Sequence, residues 1–314
     1  IMKVGLSWDL DQNADPVETP VERWRSVLDE IIQADNLGFD SVWIPEGRDT
    51  AVSCPQPSMY LTGAAVKTKS IQLVAASRTV GHAHPVRIAE EVAVLDLYSQ
   101  GRAGISFLSG ASQQVAEQHV QEVVDFVKVA WTADEFRYRG DYLQFPSSTG
   151  DEAPRGASEP EPNSASEFVP QWEAGPVQPE FLTVTPKPHQ RLPMAYIEVD
   201  EESTLEWAAR QGVSPVVRAD VPTEEAVERL ARYRRIADDA GRSRAEVDPI
   251  LERRLIIDGA SDPHTLGGTS DELIKTIRQL KLVGSFRHLV WKRETSNDGQ
   301  LLQFAGEIQP LLQA

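Results

Sequence analysis

The chain has 314 residues and carries 48 Asp and Glu against 31 Lys and Arg, a formal net charge of −17. That excess repels the phosphates of nucleic acid and the headgroups of anionic membranes, which argues against both as partners and leaves a small molecule. A lone cysteine, Cys54, precludes an internal disulfide framework and fits a reducing cytoplasm; neither a secretory leader nor an apolar run of membrane-spanning length is visible.

Read in order, short β-branched runs alternate with amphipathic stretches. Lys3 to Trp8 reads as a first strand. Thr19-Pro20-Val21-Glu22 opens a helix as a capping box with proline in the first turn. Trp24, Val27, Leu28 and Ile31 recur at helical spacing, and Gly38 supplies a left-handed stop. Ser41 to Ile44 follows as strand two. Further strands are expected over Ile71 to Ala76, Ala103 to Leu108, Pro193 to Val199, Pro215 to Val217, Ile250 to Ile257 and Arg287 to Trp291. Helices are expected over 86–99, 113–131, 201–210, 222–240, 269–281 and 299–312. Helix–glycine–strand joins at Gly38, Gly212 and Gly284 belong to repeated βα units. No glycine-rich dinucleotide fingerprint follows strand one. Eight units therefore predict an α/β fold with one (β/α)8 TIM barrel domain over 1–314, rather than an open doubly wound sheet.

The pattern breaks after the fourth βα unit. A hairpin from Phe136 to Phe145, turned at Gly140-Asp141, leads into an acidic, Pro-rich insertion over 146–180. Its few large apolar groups cannot offset the entropy of ordering it, so it reads as a mobile lid over the barrel mouth or as a tolerated disordered insertion.

In a barrel, chemistry belongs to the C-terminal ends of the strands and the loops after them. That selects Asp9, Glu46, Asp49, Ser77, Arg78, His82, His84, Ser109, Gly110, Asp200, Glu201, Arg218 and Asp258. His82 and His84 have the spacing of two ligands on one strand, but with no HExxH or paired-cysteine element no metal is expected. His84, next to Pro85 at a helix start, also suits a structural hydrogen bond. Arg78 and Arg218 could bind a phosphate or serve as ion-pair partners. No GxSxG elbow appears.

His84-Pro85-Val86-Arg87-Ile88-Ala89-Glu90-Glu91, then Leu95-Asp96-Leu97-Tyr98-Ser99-Gln100-Gly101-Arg102, resembles the HPxRxAE–LD–SxGR run of the luciferase-like flavin-dependent monooxygenases. Ala34 to Trp43, Ser203 to Ala209 and Gly268 to Leu273 are similar to further stretches of that family, in the same order. Gly101 to Gly110 looks closest to a branch associated with polyketide and peptide natural products. The resemblance implies a cytoplasmic monooxygenase that takes reduced FMN from a separate flavin reductase and uses dioxygen on a small organic substrate. A related branch uses a deazaflavin coenzyme for hydride transfer. The resemblance also implies a homodimer, or a heterodimer with a homologue, packed through helices two and three. It rests the flavin ring on Ala76 and Ser77, whose peptide bond is expected to be cis, and brings the phosphate to Ser109, Gly110, Ser203 and Thr204.

The chain departs from the family pattern at three places. The family often has Glu-His-His at the end of strand two; here Glu46 is followed by Gly47 and Arg48, so His82 or His84 is the expected replacement as acid or base. Ser109 stands where bacterial luciferase has an arginine for the flavin phosphate. Asp200 and Glu201 add negative charge near that phosphate, so Arg218 or Arg78 is expected to offset it. Three readings follow: a flavin-dependent monooxygenase, a non-catalytic partner subunit of a heterodimer, or a deazaflavin-dependent reductase.

Overall fold

The computed structural model describes residues 2–10, 19–48, 53–108, 116–146, 180–243, 247–293 and 299–314. The N-terminal half contains β1 (Lys3–Trp8), α1 (Pro20–Asn36), β2 (Ser41–Pro45), α2 (Pro57–Ala65), β3 (Gln72–Thr79), α3 (Pro85–Ser99), β4 (Ala103–Leu108) and α4 (Glu117–Thr132). The hairpin β5 (Tyr138–Arg139) and β6 (Gln144–Phe145) follows, then β7 (Met194–Glu198), α5 (Glu202–Gln211), β8 (Ser214–Val217), α6 (Thr223–Asp239) and β9 (Ile250–Ile257). The chain closes with β10 (Thr265–Gly268), α7 (Ser270–Gly284), β11 (His288–Arg293), α8 (Gln300–Gln303), a π-helical turn at Phe304–Ile308, and α9 (Gln309–Gln313).

Among the described residues, β1, β2, β3, β4, β7, β8, β9 and β11 pair in that order, all parallel, and β11 returns to β1 from Lys3↔His288 to Trp8↔Arg293. The result is the expected closed barrel. Successive strand residues point to opposite faces, and this alternation sorts the core into two parts. A large cluster between strands and helices contains Leu6, Ile44, Leu73, Ile105, Phe107, Ile197 and Leu251. A smaller cluster of Trp43, Val74, Ala76, Tyr196, Val216, Ile250 and Val290 fills the barrel interior, with the Trp43 and Tyr196 rings 4.9 Å apart.

Local signals explain several helix boundaries. Thr19 and Glu22 form the expected capping box, and Thr269 and Glu272 form a second one at α7. Gly212 ends α5 with a φ of 69°. At the third expected glycine stop the structure differs. Gly284 is the last residue of α7, where a Cβ would crowd Phe286 and Val227 of α6, and Ser285 takes the left-handed turn at φ 53°. Two elements were not anticipated. Pro57–Ala65 is short and apolar almost throughout, so α2 shows little helical periodicity. β10 carries two glycines in four residues and continues the sheet beside the outer half of β9.

β3 also runs three residues past its expected end, because a bulge between Ala75 and Arg78 lets pairing with β4 resume. Ser77 sits in that bulge at φ 52°; the described cis bonds are Phe145–Pro146 and Thr185–Pro186, so Ala76–Ser77 is not one of them. The hairpin forms as expected, with the Gly140 N–H donating to the Leu143 carbonyl at 2.8 Å. The insertion expected over 146–180 lies outside the described residues apart from its two ends. No described helix is long and apolar enough to cross a membrane.

Candidate active site

The sequence pattern that carries the family resemblance turns out to hold the scaffold. Asp96 accepts the Ala103 and Gln190 backbone N–H groups and the Gln190 side chain. Arg102 donates to the carbonyls of Ala65, Thr68, Ile71 and Ser99, tying the end of α2 to the start of β3. These residues lock strand N-termini, the end of the barrel associated with stability.

At that same end lies a serine–histidine–aspartate arrangement. Ser41 Oγ is 2.8 Å from His288 Nε2, and His288 Nδ1 is 3.3 Å from Asp248 Oδ2. Ser41 and His288 are fully buried, and Trp43 Nε1 donates to the same hydroxyl. Burial pushes Asp248 up, but His288 and Lys3 outweigh it and hold the carboxyl well below its ordinary range. With no solvent access at the serine, this triad is a structural tie.

The opposite end opens. A cavity of about 320 Å³ occupies the barrel mouth, lined from the inward positions of the strands by Ser7, Trp43, Ala76, Leu108, Glu198, Val216, Glu252, Arg254 and Lys292. Asp9, Pro45, Glu46, Ser77, Arg218 and Asp220 complete its rim. The Trp43–Tyr196 layer floors it.

Glu198 is its central acid. The hydroxyls of Ser77 and Ser106 both donate to Oε1 at 2.8 Å, and Arg218 Nη1 lies 3.8 Å from Oε2. The Ser77 N–H donates in turn to Ser106 Oγ at 2.9 Å, so the bulge itself is part of the network. Burial raises the Glu198 carboxyl to about 7, against the pull of Arg218 and the two hydroxyls. Glu198, Ser106, Glu252 and Arg254 lie inside the expected strands, out of reach of a search among the residues that follow each strand; Lys292 directly follows the last one and was overlooked. The available signal was parity: Glu198 is two residues beyond inward-facing Tyr196 on β7.

Glu46 anchors a second group. Its Oε1 lies 2.9 Å from His82 Nδ1 and 3.1 Å from Arg48 Nε, while Oε2 lies 3.3 Å from Arg78 Nη1. Arg78 is 1% exposed and also pairs with Glu91 at 3.4 Å. The structure thus brings Glu46, Arg78 and His82 together. His84 stays apart as the N-cap of α3: its Nδ1 accepts the Val86 N–H, and its ring meets Phe145 edge-on.

The residues expected at a flavin phosphate are otherwise engaged. Ser203 Oγ donates to Glu117 Oε2 at 2.6 Å, and Thr204 Oγ1 donates to Glu117 Oε1. Arg218 Nη2 is 2.7 Å from Asp220 and 3.8 Å from Asp200. Burial works against the Arg218 charge, yet Glu198, Asp200, Asp220 and Glu252 outweigh it and hold the guanidinium more firmly protonated. Ser109 and Gly110 lie outside the described residues. Ala76 and Ser77, expected beside the flavin ring, line the mouth cavity. The Ser203–Thr204 pair, filled by a carboxylate, does not fit a phosphate dianion as it stands.

The model of the luciferase-like monooxygenase family matches residues 2–263. The oxygenase component of the flavin-dependent trigonelline monooxygenase of Acinetobacter baylyi is 27% identical over 44% of this chain; the match spans only 42% of that protein's length. The alkanal monooxygenase beta chain of Photorhabdus luminescens is 24% identical over 79% of this chain and 69% of its own. The crystal structure of monooxygenase RslO1 from Streptomyces bottropensis superposes with a TM-score of 0.76 at 21% identity, covering 98% of this chain and 99% of that one. With the eight parallel strands and the mouth cavity, these matches place the chain in the luciferase-like monooxygenase family.

Proposed function

We propose that the chain is the oxygenase component of a two-component flavin system. It takes reduced flavin, FMN in the first instance, from a separate reductase, and with dioxygen it oxidises a small organic molecule at the barrel mouth. One observation carries this reading: a buried carboxyl, Glu198, with a pKa of about 7, faces the mouth cavity beside Ala76 and Ser77. Such a group can hold or release a proton near neutral pH, which suits a general acid or base. Ser77 and Ser106 fix its Oε1, and the Arg218 guanidinium approaches Oε2. Glu46, held by buried Arg78, orients His82 at the rim and supports His82 over His84 as the nearby imidazole.

A second reading has its own support. Gly47 and Arg48 follow Glu46, the hydroxyls of Ser203 and Thr204 are committed to Glu117, and one relative is a beta chain of a multi-chain monooxygenase. These features suit a non-catalytic partner subunit. Exposed Met59 on α2, and Leu97 and Tyr98 on α3, support pairing through those helices in either case; a solution mass of one chain would contradict it.

Anaerobic titration with reduced FMN, and separately with the reduced deazaflavin coenzyme, discriminates the readings. Saturable binding of reduced FMN is expected. Binding of the deazaflavin alone would make the chain a reductase, and binding of neither would make it the silent partner.

A further inference from the structure

One wall of the barrel mouth carries two polar groups that the fold leaves open. β1 and β11 run side by side there, with Ser7 paired to Lys292. Lys292 lies two residues beyond Val290, whose side chain fills the barrel interior, so by alternation it points inward as well. Both residues line the mouth cavity. Ser7 is 1% exposed and Lys292 is half-buried. Among the described residues, neither the Ser7 hydroxyl nor the Lys292 ammonium has a hydrogen-bond or ion-pair partner. Buried polar groups are ordinarily satisfied, so two neighbouring open donors on a cavity wall point to an incoming acceptor. The carboxylates nearby are directed elsewhere. Glu252 on β9 accepts the Ala219 N–H at 3.1 Å and helps hold Arg218 protonated. Glu46 is bound by Arg48, Arg78 and His82, Asp220 by Arg218, and Asp9 is engaged by groups other than Lys292. Arg254, two residues beyond Glu252, adds a second positive charge to the wall. β7, which carries Glu198, stands four strands from β1 around the barrel, so the Ser7–Lys292 pair faces that acid across the mouth.

We propose that Ser7 and Lys292 form the seat for the carboxylate of an organic acid, which they hold across the mouth from Glu198. A carboxylate offers two acceptor oxygens, one for the hydroxyl and one for the ammonium. The charge-assisted bond to Lys292 favours an acid over its neutral amide. An uncharged ligand would leave the ammonium desolvated and unpaired, which costs affinity. The inference deepens the flavin-oxygenase reading above and rests on it only in calling the acid a substrate.

The test is calorimetric titration of the full-length chain with benzoate and hexanoate and with their amides, benzamide and hexanamide. It is run without flavin and again, anaerobically, with saturating reduced FMN. Wild type is compared with Lys292→Met, Lys292→Arg and Ser7→Ala, and Tm by circular dichroism controls for folding. At least one acid is expected to bind the wild type about tenfold or more tighter than its amide. Lys292→Met is expected to erase that preference and Lys292→Arg to keep it. Ser7→Ala is expected to weaken the acid about threefold or more. Acids that in neither condition bind better than their amides, failure to bind included, overturn the proposal, and so does a preference that survives Lys292→Met. The wild-type comparison decides even where a variant fails to fold. An acid preference in a chain that binds no reduced FMN upholds the seat and defeats the oxygenase reading; reduced FMN bound with no acid preference does the opposite.

Discussion

At the scale of single residues, the barrel mouth holds an acid whose protonation is coupled to folding. Glu198 has an ordinary pKa of 4.5 and a folded value of about 7, raised by burial. Between those values the folded chain binds more proton than the unfolded one. This contribution to stability is therefore complete below about pH 4.5 and declines as pH rises through 7, by about 3 kcal/mol in all. Glu198→Gln removes the carboxyl and keeps its size. The variant is expected to gain stability relative to wild type as pH rises from 5 to 8, read from urea midpoints. A stability difference that is flat across that range, or of opposite slope, would show that Arg218 and the serine hydroxyls cancel the effect of burial.

The same residue marks what the sequence could and could not disclose. Glu46, Ser77 and Arg218 were legible because they sit where an expected strand ends, and all three line the mouth, with Arg78 buried against Glu46. Glu198 was not, because its role depends on which face of β7 looks inward and on a bulge in β3 that brings Ser77 under it. Glu117 was hidden for a different reason. Its significance is a meeting of two helix starts separated by 86 residues, and no local pattern encodes that.

At the scale of elements, boundaries written in capping chemistry were readable, as at Thr19 and Thr269. Those written in tertiary packing were not. α2 shows no clear period because its exposed face carries Met59 and Gly63, as apolar as the buried Tyr60, Leu61 and Ala64 opposite. The end of α7 is set by the close approach of Gly284 to Val227, leaving the left-handed position to Ser285. A non-glycine residue there costs about 1 kcal/mol in backbone strain. Ser285→Gly is accordingly expected to raise stability by at most about 0.5 kcal/mol after its larger unfolded-state entropy is counted. Ser285→Ala should give no such gain in thermal melts. Equal effects for the two substitutions would refute the strain argument.

At the scale of the whole molecule, the barrel separates stability from chemistry along its axis. The N-terminal ends of the strands carry closed ties: Asp96 with Gln190, Arg102 with four carbonyls, and the buried Ser41–His288–Asp248 set. The C-terminal ends carry an open cavity lined by five carboxylates and three cationic side chains: Asp9, Glu46, Glu198, Asp220 and Glu252 against Arg218, Arg254 and Lys292. The repeat of strands and helices made the barrel legible from the sequence, while the charge balance of its mouth became visible only on closure. This mouth is the proposed flavin site. A crystal structure of the chain grown anaerobically in saturating reduced FMN decides it. The flavin ring is expected in the cavity, against Ala76 and Ser77 and within reach of Glu198. A mouth free of flavin at saturation, or flavin held elsewhere on the molecule, would contradict it.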